Sequence, residues 1–165
     1  MDKRIRQYIG LFSAIIAYYV IHEGAHLLYA LCNGVFKQVN FIGLGMQIDV
    51  YAEQMTDEQL GVFCMVGSFA TAIAGYMLVI LADRIKDIQF KTFKACMYYI
   101  TIAMLLIDPL YLSLLCGLFG GGDMNGISML MPELAVRIGY GILLMINIAV
   151  FFRIVLAKYK LGFEE

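Results

Sequence analysis

Four long apolar stretches constrain what this chain can fold into. They cover residues 8–31, 60–82, 95–119 and 134–157. A helix needs about 20 apolar residues to cross the hydrocarbon core of a bilayer, and each stretch reaches that length. The second contains no charged residue, and the fourth carries Arg137 and Arg153 near its ends, where long cationic side chains can reach toward an interface. Hydrophobic residues make up 62% of the 165 residues, against roughly 45–50% in soluble domains. A soluble domain of this size still exposes about a third of the surface its chain can expose, so it could not hide this much apolar area. The expected fold is therefore an all-α polytopic membrane protein, residues 1–165 forming a single domain with about four transmembrane helices in a lipid bilayer. No internal repeat is visible, and a net charge of −1 offers no basic surplus for nucleic acid.

Lys and Arg set the expected orientation. Lys3, Arg4 and Arg6 precede the first stretch, and Arg84, Lys86, Lys91 and Lys94 lie between the second and third. Arg153, Lys158 and Lys160 lie toward the end of the chain, while only Lys37 and Arg137 fall on the opposite side. This bias predicts both termini in the cytoplasm of a bacterial or archaeal cell, with the protein in the cytoplasmic membrane. The first stretch is too long for the apolar region of a signal peptide and contains ionisable residues, so it is expected to stay. Cys32, Cys64, Cys96 and Cys116 form no C-x-x-C pair and read as small buried hydrophobes.

Residues 35–51 break the helical pattern. Two runs rich in β-branched and aromatic residues flank Gly43-Leu44-Gly45, which predicts a β-hairpin. A lone hairpin is marginal in water, so it is expected to pack on the helices or at the membrane interface.

The chemistry-bearing motif is His22-Glu23-Gly24-Ala25-His26, an H-E-x-x-H sequence containing the chain's only two histidines. On a helix, residues four apart share a face, so His22 and His26 can bind one Zn²⁺. Glu23 lies about 100° around the helix, within reach of a water at the metal as general base. Ionisable residues inside a span cost about 2.5–3.5 kcal/mol each and are functional candidates by default. Small Gly24 and Ala25 are expected to let another helix approach closely. A catalytic zinc site takes three protein ligands and one open position. Two aspartates compete for the third place. Asp108 lies mid-span beside Pro109 at a depth matching the histidines, and Asp123 follows the Gly120-Gly121-Gly122 run, which can fold back toward the site. Asn147 in the fourth stretch reads as helix–helix hydrogen-bonding glue.

These residues resemble the site-2 protease family of intramembrane zinc metalloproteases. His22-Glu23-Gly24-Ala25-His26 matches the family's metal motif, and residues 32–45 look like its membrane-associated hairpin. Val66-Gly67-Ser68-Phe69-Ala70-Thr71 echoes the family's A-G-P-x-x-N segment, with Ser68 and Thr71 replacing its Pro and Asn. Gly122-Asp123-Met124-Asn125-Gly126 takes the place of the family's L-D-G motif. The resemblance implies a minimal-core metalloprotease with His22, His26 and Asp123 as zinc ligands, Glu23 as catalytic base and Asp108 as the alternative ligand or an imidazole-holding residue. The substrate would be a transmembrane protein or peptide. Asn125 and the hairpin glycines Gly43 and Gly45 are the substrate-contact candidates. Two other readings use the same residues: a non-catalytic membrane protein of this fold, and a small metal- or proton-conducting membrane protein.

Overall fold

The computed structural model describes residues 2–42, 45–118 and 121–164. It is about 81% helical, with four helices long and apolar enough to span a membrane and one two-stranded hairpin. The first helix, α1 (Lys3–Cys32), starts at Asp2, whose carboxylate accepts from the Arg4 N–H at 3.3 Å. Its end is set by Gly34, which adopts φ 68° and lets the Val35 N–H return to the Ala30 carbonyl at 2.9 Å. That left-handed turn is the glycine-dependent way to satisfy the last carbonyls of a helix. The chain then enters the hairpin, β1 (Phe36–Ile42) and β2 (Gly45–Val50), paired antiparallel with an irregularity between Phe36 and Gln38. Gly45 opens β2; Gly43 lies outside the described residues. Ile48 and Val50 bury their side chains beside Ala30, Val35, Phe63 and Leu112, which seats the hairpin on the helices.

Thr56 and Gln59 form a reciprocal capping box at the start of α2 (Asp57–Lys86), satisfying two amides that a helix start leaves unpaired. α3 (Lys91–Leu110) contains Pro109 in its last turn and runs on through a π-turn, Tyr111–Leu115, and a 3-10 turn, Cys116–Leu118. Proline cannot donate to the carbonyl four residues back, here Leu105. Asn147 takes that carbonyl, its Nδ2 donating at 2.6 Å, while its Oδ1 accepts from the Tyr76 hydroxyl at 2.6 Å. The expected helix–helix glue therefore closes the one backbone gap in α3.

A short helix, α4 (Asp123–Ile127), is followed by α5 (Glu133–Val150), a π-turn (Phe151–Val155) and α6 (Leu156–Glu164). The last three make one continuous candidate span, Glu133–Lys160. α4 lies against α2: Gly126 is so close to Cys64 that a side chain there would collide with its sulfur. Met124 and Ile127 are buried in the same cluster as Cys64 and Cys116. Gly24 is different. A methyl group there would meet nothing within 4 Å, so the expected close helix approach at that glycine does not occur. α1 faces open space at that position.

Polarity across the bundle is inverted relative to a water-soluble protein. His22, Glu23, His26, Thr71, Asp108 and Asn147 are buried, while Tyr8, Phe12, Phe69, Ile80, Leu134 and Met145 are more than half exposed.

Candidate metal centre

The face of α1 that carries Tyr18, His22 and His26 at helical spacing points into the bundle toward α2 and α3. His26 donates from Nδ1 to the Phe63 carbonyl of α2 at 2.7 Å. That carbonyl can only accept, so the neutral ring carries its proton on Nδ1 and presents an unprotonated Nε2. His22 is oriented the same way by a different partner. Its Nδ1 lies 3.4 Å from Asp108 Oδ2. Asp108 is only 2% exposed and also accepts from the hydroxyls of Tyr18 and Thr71. Tyr18 stacks on His22, ring centroids 5.2 Å apart.

With both Nδ1 atoms engaged, the two Nε2 atoms face each other at 3.2 Å. Asp123 Oδ2 lies 3.2 Å from His22 Nε2 and 3.6 Å from His26 Nε2. One donor atom from each of His22, His26 and Asp123 falls within 4.8 Å of the others. Three lone-pair-bearing atoms converging at this range repel unless a proton or cation lies between them. Two imidazoles and a carboxylate suit a divalent ion such as zinc. Imidazole N–H groups held by a carboxylate and a backbone carbonyl are the usual outer support of such ligands. Gly67 of α2 provides the space. A Cβ there would sit 2.5 Å from His26 Nε2 and 2.7 Å from His22 Nε2. The donor set and the cradle around it both fit a metal.

Asp123 reaches this point because the chain doubles back after α3. Gly121 (φ 87°) and Gly122 (φ 43°) take left-handed conformations, and the Gly121 N–H returns to the Cys116 carbonyl at 2.9 Å. A non-glycine residue at either position would be strained. α4 then places Asp123 in its first turn, over the histidines. Asp108 lies on the opposite side of the His22 ring from Asp123, against Nδ1 rather than Nε2.

Glu23 is 9% exposed and accepts from the Ile48 backbone N–H through Oε2 at 3.1 Å. Ile48 is paired with Val39, yet its N–H points away from β1. The edge of β2 turned away from β1 therefore faces Glu23, which takes its Ile48 N–H. Asn125 is exposed and its amide packs over Gly121. Sequence reasoning missed Tyr18, although its position four residues before His22 marks it as a same-face neighbour. It also gave no role to Gly67.

The chain matches no family model, no curated protein and no solved structure.

Proposed function

We propose that this chain is an intramembrane zinc metalloprotease of the site-2 protease type. The observation that carries the reading is the convergence of His22 Nε2, His26 Nε2 and Asp123 Oδ2 beside a glutamate within an H-E-x-x-H helix. The inverted polarity of the bundle and its four apolar helices support a membrane location. The Lys and Arg collected at the opposite end of the helices support cytoplasmic termini.

His22, His26 and Asp123 would hold the zinc, with Asp108 and the Phe63 carbonyl fixing the imidazoles. Bound there, zinc supplies Lewis-acid polarisation of a peptide carbonyl and acidifies a water. Glu23 acts as general base: Oε2 is held by Ile48, and Oε1 receives the proton of the attacking water and delivers it to the leaving amide nitrogen. A helical substrate hides its carbonyls in hydrogen bonds and must unwind before cleavage. The edge of β2 turned away from β1 would hold such an extended segment by strand addition on either side of the Ile48 N–H that Glu23 takes, which would bring the segment alongside Glu23.

The test is cleavage of model transmembrane peptides by the full chain in liposomes, read by mass spectrometry. Defined products are expected from wild type. They are lost in Glu23→Gln and on chelation, and return when zinc is added back. Metal-loaded wild type and Glu23→Gln that behave alike would overturn the catalytic reading.

A further inference from the structure

α3 brings a second polar side chain to this end of the bundle. Asp108 lies against the Nδ1 side of His22, and Tyr111 follows it by three residues, on the same helix face. The Tyr111 backbone stays helical, with φ −61° and ψ −56°, so its ring continues that face beyond Asp108. The hydroxyl ends at the turn that delivers Asp123. A Cβ built on Gly122 would lie 2.5 Å from the Tyr111 oxygen, and Gly122 directly precedes Asp123. By chain geometry the phenol oxygen is therefore at most about 8 Å from the Asp123 Cα. The ring packs against the buried cluster to which Ile48 of β2 and Met124 of α4 belong. Tyr111 thus stands among the hairpin, α3 and α4, the elements that flank Glu23 and carry Asp123.

The neighbouring hydroxyls are committed. Tyr18 and Thr71 donate to Asp108, and Tyr140 is paired with Ser68 at 2.6 Å. The Tyr111 hydroxyl makes no hydrogen bond among the described residues, although its side chain is half-buried. A phenol taken out of water ordinarily finds a partner, and a phenylalanine would fill the same ring volume without needing one. The hydroxyl is therefore not accounted for by packing. An uncommitted donor, held in place by a packed ring near the reacting atoms, suits the stabilisation of charge that appears only during reaction. The π-turn that begins at Tyr111 is also a helix irregularity that recurs at functional sites.

We propose that Tyr111 is a catalytic residue that donates a hydrogen bond to the scissile carbonyl oxygen as charge develops there. This role rests on the metalloprotease reading above. Water attacks the carbonyl carbon, and the π electron pair of the carbonyl moves onto its oxygen. Tyr111 keeps its proton and stabilises that oxygen through its O–H. Glu23 takes a proton from the attacking water. The pair then returns to the carbon as the C–N bond breaks, and the nitrogen receives the proton from Glu23. Glu23 moves the proton, and Tyr111 holds the charge.

The test compares wild type with Tyr111→Phe, full chain in detergent, with zinc content measured in both. Phenylalanine keeps the ring packing, so fold and zinc content should be unchanged. Loss of one donor to the developing oxyanion should lower kcat on a model transmembrane peptide about 100–1000-fold with KM unchanged. The second probe is a phosphinic peptide, whose anionic tetrahedral centre imitates the attacked carbonyl. Calorimetry should show it binding Tyr111→Phe about 10–100-fold more weakly than wild type. Equal kcat and equal phosphinic-peptide affinity in the two proteins overturn the proposal and leave the metalloprotease reading intact. Loss of zinc in Tyr111→Phe also overturns it, since the hydroxyl would then serve the ligands rather than the substrate. Zinc-loaded wild type that neither cleaves nor binds the phosphinic peptide overturns both. Fluorotyrosine incorporated in place of Tyr111 keeps the test decisive if Tyr111→Phe misfolds. Its fluorine NMR resonance is expected to shift when the phosphinic peptide binds, and an unchanged resonance with the inhibitor bound would refute the contact.

Discussion

Gly67→Ala should abolish tight metal binding while leaving the protein folded. The added Cβ would lie 2.5 Å from His26 Nε2 and 2.7 Å from His22 Nε2, where ordinary contact begins near 3.4 Å. The two ring nitrogens would have to retreat by about 0.9 and 0.7 Å, and metal–ligand distances tolerate about 0.2 Å. Disturbing the residues that merely support ligands costs about 10–100-fold in affinity. Displacing two ligand atoms at once should cost at least about 100-fold. Global stability should fall by no more than about 2 kcal/mol, because the gain of about 1 kcal/mol in helix propensity offsets part of an overpacking cost of about 1–3 kcal/mol. Two glycines supply controls. Gly24→Ala sits inside the H-E-x-x-H motif, but its methyl meets nothing within 4 Å, so zinc affinity should stay at the wild-type value with stability equal or slightly higher. Gly75→Ala places its methyl 3.0–3.2 Å from Leu105 and Met104 and should lower stability without changing affinity. The assay is competition for zinc against a fluorescent chelator, with circular dichroism reporting the fold. Wild-type affinity in Gly67→Ala, or a loss in Gly24→Ala, would refute this account of the cradle.

Other variants separate the roles of the remaining polar groups. Asp108→Asn keeps the side-chain volume but removes the carboxylate that orients His22, and zinc affinity should fall about 10–100-fold in the same competition assay. Asn147→Leu leaves the Leu105 carbonyl and the Tyr76 hydroxyl without their partner. It should cost about 1–3 kcal/mol in denaturation by detergent titration and leave zinc affinity unchanged. Ile48→Pro removes the N–H that holds Glu23; that N–H points away from β1, so proline breaks no ladder bond there. Cleavage of a model transmembrane peptide should slow by about tenfold or more with zinc content unchanged, a loss of about 1.4 kcal/mol. A variant that cleaves at the wild-type rate would remove Ile48 from the account.

The four apolar helices were legible because span length and charge depletion are properties of contiguous sequence. Residues 8–31 and 60–82 sit inside α1 and α2, and only the polar ends were missed. The hairpin was legible for the same reason, its β-branched runs being local. H-E-x-x-H was legible because both histidines lie on one helix. The aspartates were harder. Depth along a straight span brings Asp108 level with His22, but depth does not say which ring nitrogen it meets. Only the turn at Gly121 and Gly122 and the docking of Gly126 on Cys64 place Asp123 on the other side of the ring. Gly24 and Gly67 show the remaining limit. Both are small residues in apolar helices, and which one faces a neighbour depends on how the helices are rotated against each other. That rotation comes from side-chain packing across α1, α2 and α3, which no local pattern encodes.

Metal content is the most direct test of the central claim. Elemental mass spectrometry should be run on full-length protein purified with zinc supplied, for wild type, His26→Ala, Asp123→Ala and Asp108→Ala. The account predicts near-stoichiometric zinc in wild type and none in His26→Ala or Asp123→Ala. It predicts zinc that is reduced but still detectable in Asp108→Ala. Wild type without zinc, or Asp123→Ala retaining zinc while Asp108→Ala loses it entirely, would contradict the account.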